Sequence, residues 1–229
     1  MIDQTIFPAK SGLVDEALQQ QLKDVFARLE NPVVIRAVID PQQEKSRELA
    51  SFLRAVTALG DQLTLELYGP QEAAEGAPQL DTAWLPVTGL YRGGEYGRVC
   101  FHGIPSGREI NAFVLAIYNL AGPGQSLSWG QKRAIAGIKK KANIKICVSL
   151  ACHHCQSVVT ACQQIAVLNP NIEAEMIDAT LYKDLVERYQ IERVPVMIVN
   201  DSERHIGGKT LDEIIKLLKN NPLSGKIWQ

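Results

Sequence analysis

The sequence predicts an α/β fold of two tandem units, each a small mixed sheet flanked by helices. Three observations predict it. One order of elements (strand, helix, strand, then a hairpin, then a helix) is written twice along the chain. A strong break, Gly122-Pro123-Gly124-Gln125-Ser126, separates the two copies. The length of 229 residues suits two small units or one large one, at roughly 100–200 residues per domain.

The first unit covers residues 1–122. Leu18, Leu22, Val25, Phe26 and Leu29 recur at helical spacing until Asn31-Pro32 breaks the pattern. The apolar run from Val33 to Ile39 reads as a buried strand. Asp40-Pro41 opens a helix with Leu49, Phe52, Leu53 and Val56 on one face, and Gly60-Asp61 ends it. Leu63 to Tyr68 is a second strand, and residues 69–82, with Gly69, Pro70, Gly76 and Pro78, read as a loop. Strands near 84–91 and 97–102 flank a Gly93-Gly94 turn. A helix over about 108–120 closes the unit, with Ile110, Phe113, Val114, Ile117 and Leu120 as its stripe.

The second unit covers residues 123–229. A short amphipathic helix near 128–140 leads into it. Ile144 to Leu150 is a strand, about 154–168 a helix, Glu173 to Ile177 a strand, Tyr182 to Tyr189 a helix and Val196 to Val199 a strand. Residues 203–206 form a short edge strand. The last helix, about 210–219, carries Leu211, Ile214, Ile215 and Leu218, and Asn220-Asn221-Pro222 ends it. Laid over each other, the copies place strand 144–150 on strand 33–39, and Gly207-Gly208 on the segment Gly103 to Gly107. Strands separated by a helix favour a parallel pair with a right-handed crossover, and the hairpin adds antiparallel strands. That is the thioredoxin-like arrangement, here in tandem.

Composition excludes several classes. Hydrophobic residues make up 46% and charged residues 21%, which is ordinary globular usage. The 24 basic and 25 acidic residues leave a net charge of −1, so no global field draws nucleic acid or an acidic membrane. Lys139-Lys140-Lys141, with Lys145 nearby, is the longest basic tract and reads as a solvated face. No apolar run approaches the ~18 residues of a membrane span. The N-terminal stretch Met1 to Pro8 lacks a basic region followed by apolar residues, so a cytoplasmic protein is expected. Five cysteines (Cys100, Cys147, Cys152, Cys155 and Cys162) are too few for a disulfide scaffold.

Cys152-His153-His154-Cys155 carries the chemistry. It follows a buried strand and opens a helix, the context a redox C-x-x-C needs. Two intervening residues let both sulfurs meet across one helical turn. At the helix start, free backbone N–H groups and the positive dipole end favour a thiolate on Cys152. Cys155, one turn in, is expected to be less exposed. Cys152 should therefore attack a partner disulfide and Cys155 resolve the mixed disulfide. His153 and His154 either add positive charge beside the thiolate or are solvent-facing spacers. Cys147 and Cys162 fall on apolar faces and read as core residues.

A second signal is Val194-Pro195, just before strand 196–199. In a thioredoxin-like fold this proline is cis, lies against the C-x-x-C and leaves Val194 free to pair with an extended substrate. The other reading is a trans proline opening an edge strand. Pro86 holds the comparable place in the first copy. There Cys152 falls on Pro41 and Cys155 on Glu44, so residues 1–122 form a scaffold or docking half without dithiol chemistry.

Taken with Ser149 to Cys155, Val167-Leu168-Asn169-Pro170, Ile177-Asp178, Val194-Pro195 and Phe101 to Glu109, nearly the whole chain resembles a known family. This is the N-terminal tandem thioredoxin-like module of the flavoprotein component of bacterial alkyl hydroperoxide reductases. The resemblance implies that Cys152 and Cys155 are the active dithiol. It implies electrons arriving from a thioredoxin-reductase-like flavoprotein or fused flavin domain and leaving to a peroxiredoxin-type peroxidase. It also implies that Glu109 reaches across from the first half as an acid near the cysteines. From its position alone, Glu109 is an acidic residue in the first turn of a helix. No G-x-G-x-x-G fingerprint occurs in the chain, so FAD and NADH are expected on the partner flavoprotein and no bound cofactor here.

Three alternatives remain at this point. A zinc module would need a third ligand, such as Cys147 or Cys162, beside Cys152 and Cys155, and no second C-x-x-C or H-x-x-x-H completes a four-ligand set. An interaction or chaperone-like module would use the proline groove without chemistry. A disulfide oxidase or isomerase of the same fold would run the dithiol in the opposite direction.

Overall fold

The computed structural model describes residues 1–220. Helix α1 (Glu16–Phe26) starts where the Asp15 side chain accepts the Leu18 N–H at 2.8 Å. Strand β1 (Val33–Val38) leads to α2 (Glu44–Thr57) and β2 (Leu63–Tyr68). A short helical segment follows, a 3-10 turn at Pro70–Glu72 and α3 (Ala73–Gly76). The hairpin β3 (Val87–Arg92) and β4 (Glu95–His102), a 3-10 turn at Gly107–Glu109 and α4 (Ile110–Ala121) complete the first copy. The second copy has α5 (Trp129–Ala136), β5 (Ala142–Val148), α6 (Cys155–Leu168), β6 (Ile172–Asp178) and α7 (Lys183–Arg188). It ends with β7 (Val196–Val199), β8 (Glu203–Ile206) and α8 (Leu211–Asn220).

Two sequence expectations need correction. The stretch 69–82 is not all loop. Proline at the first position of the 3-10 turn and the Glu72 carboxylate on the Gly69 N–H (3.1 Å) start a helical turn, whose Ala73 is buried beside Val38 and Val87. Helix α2 begins at Glu44 rather than at Asp40-Pro41. The Asp40 carboxylate accepts the Gln42 N–H at 3.0 Å and its carbonyl accepts the Gln43 N–H at 2.9 Å, which holds a separate turn before the helix. Helix α8 covers the expected span to within a residue at each end, and of the stop at Asn220-Asn221-Pro222 the last two residues lie outside the described residues.

The strands form one eight-stranded sheet in the order β2-β1-β3-β4-β6-β5-β7-β8. Each copy supplies the same run, a parallel pair (β1 with β2, β5 with β6) followed by an antiparallel hairpin. The copies join where β4 pairs parallel to β6, Val99 opposite Ala174 through His102 opposite Ile177. Helix α4 of one copy packs on α6 of the other. Arg98 ties the same seam, donating to the carbonyls of Ala166 (3.0 Å) and Val167 (3.1 Å) at the end of α6.

Side chains alternate across the sheet. One face, with Ile35, Phe101, Ile146 and Met176, meets the large helices, and Phe113 of α4 stacks edge-on to Phe101 at 5.1 Å. On the other face α3 and α7 cover two smaller apolar clusters. Between those clusters the face turns polar, with Cys100, His102, Lys145 and Glu175 all buried.

Candidate active site

Strand β5 ends at Val148 and the loop 149–154 carries the chain to α6. Cys152 and Cys155 are joined in a disulfide, with Cα atoms 5.6 Å apart. Cys155 is fully buried and Cys152 half-buried, as the spacing argument requires. The helix starts at Cys155, within a residue of the expected 154, with His154 as its N-cap; Cys152 stands in the turn before it rather than on its first residue. The reason is local: the Cys152 N–H bonds the Ser149 carbonyl at 2.8 Å, and the Leu150 carbonyl is taken by the Arg108 N–H at 3.3 Å. Cys152 thus sits in front of the free N–H groups of α6, whose first turn holds no acidic residue. His153 and His154 are both exposed.

The Val194-Pro195 bond is cis. Because Val196 pairs with Cys147, the cis bond lies at the end of the sheet from which the C-x-x-C loop leaves. The Pro195 carbonyl accepts the Gly207 N–H at 2.8 Å. The first copy repeats this: Leu85-Pro86 is cis and the Pro86 carbonyl accepts the Gly103 N–H at 2.9 Å. Pro41 and Glu44 occupy the turn and helix start that in the second copy hold Cys152 and Cys155; α2 and α6 have fourteen residues each.

Glu109 ends the 3-10 turn whose Arg108 N–H donates to the Leu150 carbonyl, so the first copy brings this turn against the loop that leads to Cys152. The side chain is fully buried and neither oxygen has a hydrogen-bond partner among the described residues. Burial, helped by the negative charge of Asp178, pushes its pKa up to about 7. Gly107 permits the approach: its φ is +57°, and a Cβ there would stand 3.2 Å from the Leu150 carbonyl oxygen.

The other cysteines are remote from exchange chemistry. Cys147 and Cys162 are buried, Cys162 with its sulfur 3.6 Å from Met197 Sδ, and burial raises both thiols to about 12. Neither joins Cys152 and Cys155 in a ligand set. Among the described residues, the one cluster of metal-ligand types is Cys100, His102 and Glu175. Sequence reading missed this cluster because Glu175 lies 73 residues beyond His102 and meets Cys100 and His102 only through the β4–β6 register.

The strand-to-helix turns after β1 and β5, residues 39–43 and 149–154, contain no glycine. They offer no backbone cradle for a dinucleotide phosphate.

The Thioredoxin domain family matches residues 142–219, which include the C-x-x-C. The crystal structure of the NTD_N/C domain of the alkyl hydroperoxide reductase AhpF from Enterococcus faecalis superposes with a TM-score of 0.84 at 39% identity, covering 89% of this chain and 99% of that one. The chain belongs to the family of AhpF N-terminal domains. The AhpF of Pseudomonas aeruginosa is 32% identical over 203 residues, 89% of this chain. The chain spans only 37% of that relative's length. A protein disulfide oxidoreductase from Aeropyrum pernix shares the fold at a TM-score of 0.79 and 21% identity. With its C-x-x-C disulfide at the start of α6, the chain is a thiol–disulfide oxidoreductase module of the AhpF family. No described helix is long and apolar enough to cross a membrane.

Proposed function

We propose that this module carries electrons from a thioredoxin-reductase-like flavoprotein, or a flavin domain fused to it, to the disulfide of a peroxiredoxin-type peroxidase in the cytoplasm. The observation that carries the proposal is the asymmetry of the Cys152–Cys155 pair, one sulfur reachable and one buried, in a member of the AhpF family. FAD and NADH belong to the donor, since neither strand-to-helix turn here fits a dinucleotide.

The exchange runs in two steps. The Cys152 thiolate attacks the substrate disulfide, forming one S–S bond and releasing one substrate thiolate. Cys155 then attacks Cys152 Sγ, freeing the second substrate thiolate and closing the internal disulfide. Two electrons pass to the substrate, and the donor returns them. Glu109 acts as the nearby acid: neutral below about pH 7, it supplies a proton to a departing thiolate and accepts one from Cys155 before resolution. Val194, beside the cis Pro195, offers its backbone to an extended substrate segment. His153 and His154 line the exposed approach. Residues 1–122 serve as the docking and scaffold half, residues 123–229 as the redox half.

Trapping tests the proposal. Cys155→Ser protein mixed with an oxidised peroxiredoxin should accumulate a mixed disulfide through Cys152. Cys152→Ser protein should form none. A cross-link through Cys155 alone, or none with either variant, contradicts it.

A further inference from the structure

We infer that Cys100, His102 and Glu175 form a site for a thiophilic divalent metal of the zinc class, bridging the two copies across the β4–β6 seam. The register places Cys100 opposite Glu175, and the alternation of β4 puts His102 on the same face. All three side chains are buried and their ligand atoms lie within 4.8 Å of one another.

The distances fit one ion. His102 Nε2 is 3.2 Å from Glu175 Oε2 and 3.8 Å from Cys100 Sγ. Around a tetrahedral ion with Zn–N and Zn–O of about 2.0 Å and Zn–S of about 2.3 Å, those separations are about 3.3 and 3.5 Å. A thiolate, an imidazole and a carboxylate select zinc or a similar ion over magnesium or calcium. Three protein ligands leave a fourth position for water.

The surroundings are those of a built ligand set. His102 Nδ1 lies 2.9 Å from the Trp84 carbonyl oxygen, so Nδ1 carries a proton and Nε2 faces the cluster. With a neutral ring, Nε2 and Glu175 Oε2 aim lone pairs at each other and need a cation between them. The far carboxylate oxygen, Oε1, is held by Asn143 and faces Lys145 at 3.8 Å, which leaves Oε2 for the ion. Loading displaces the Cys100 thiol proton to solvent as the metal–sulfur bond forms, with no change of oxidation state.

The test uses the full chain carrying Cys152→Ser and Cys155→Ser, which removes the exposed dithiol as a competing ligand pair. It is refolded under reductant with cobalt(II), a spectroscopic stand-in for zinc, and dialysed. The expected result is a single retained equivalent, a thiolate-to-cobalt charge-transfer band and a raised Tm. All three are lost on adding Cys100→Ala and kept on adding Cys162→Ala. His102→Gln, which keeps the buried thiol and its packing, provides the same loss should Cys100→Ala fail to fold. Folded protein that retains no cobalt, or cobalt retained undiminished in a folded Cys100→Ala or His102→Gln chain, overturns the inference and leaves a proton as the bridge between His102 and Glu175.

Discussion

The backbone N–H of Arg108 donates to the carbonyl of Leu150 at 3.3 Å. This bond links the copy without the C-x-x-C to the loop that presents Cys152. It also fixes the turn in which Glu109 is buried, so the two copies are joined by backbone beside the C-x-x-C loop.

Gly107 makes that bond possible, and replacing it should show this. Gly107→Ala places a Cβ at 3.2 Å from the Leu150 carbonyl oxygen on a backbone with φ +57°. Denaturant unfolding should report a loss of about 1–2 kcal/mol. Gly208→Ala, with open space at its Cβ and no positive φ, should change stability far less.

Glu109 gives a pH signature. Its folded pKa of about 7 lies above the ordinary 4.5, so its stabilising contribution is complete below pH 4.5 and is lost as the pH rises through 7. Glu109→Gln, which stays neutral, should be indistinguishable from the parent near pH 4. Above pH 7 it should be more stable by on the order of 3 kcal/mol. Urea midpoints across that range measure the difference. A flat difference would mean that Glu109 does not titrate in this window.

Much of this was legible in the sequence because local signals agreed. The strand 144–150 pattern, the break at Gly122-Pro123-Gly124 and the C-x-x-C before a helical stripe point the same way. The helix start read at Asp40, and the reading that set Cys152 on the first residue of its helix, miss for one cause: carbonyls and side chains in both turns find partners outside the helix, which periodicity does not register. The β4–β6 seam was illegible for a different reason. Parallel pairing between strands from separate copies leaves no turn signal, and His102 and Glu175 look like ordinary strand residues until the register sets them side by side.

Arg98 tests the seam. Its guanidinium caps the last carbonyls of α6, the helix that starts at Cys155. Arg98→Ala should cost about 1–3 kcal/mol in denaturant unfolding. Because alanine also carries a Cβ, the φ of +61° at this position is equally unfavourable in both proteins and the difference reports the lost bonds. Arg98→Lys should recover only part, since one ammonium cannot reproduce the guanidinium fork.

The central claim is that the Cys152–Cys155 pair is a reducing couple poised to feed a peroxidase. Redox titration in defined dithiol buffers, read by thiol trapping and mass spectrometry, tests it most directly. A reversible two-electron couple near or below roughly −200 mV, within the glutaredoxin–thioredoxin range, is the predicted result. A couple near about −120 mV would contradict it and make the module a disulfide-forming or isomerising protein.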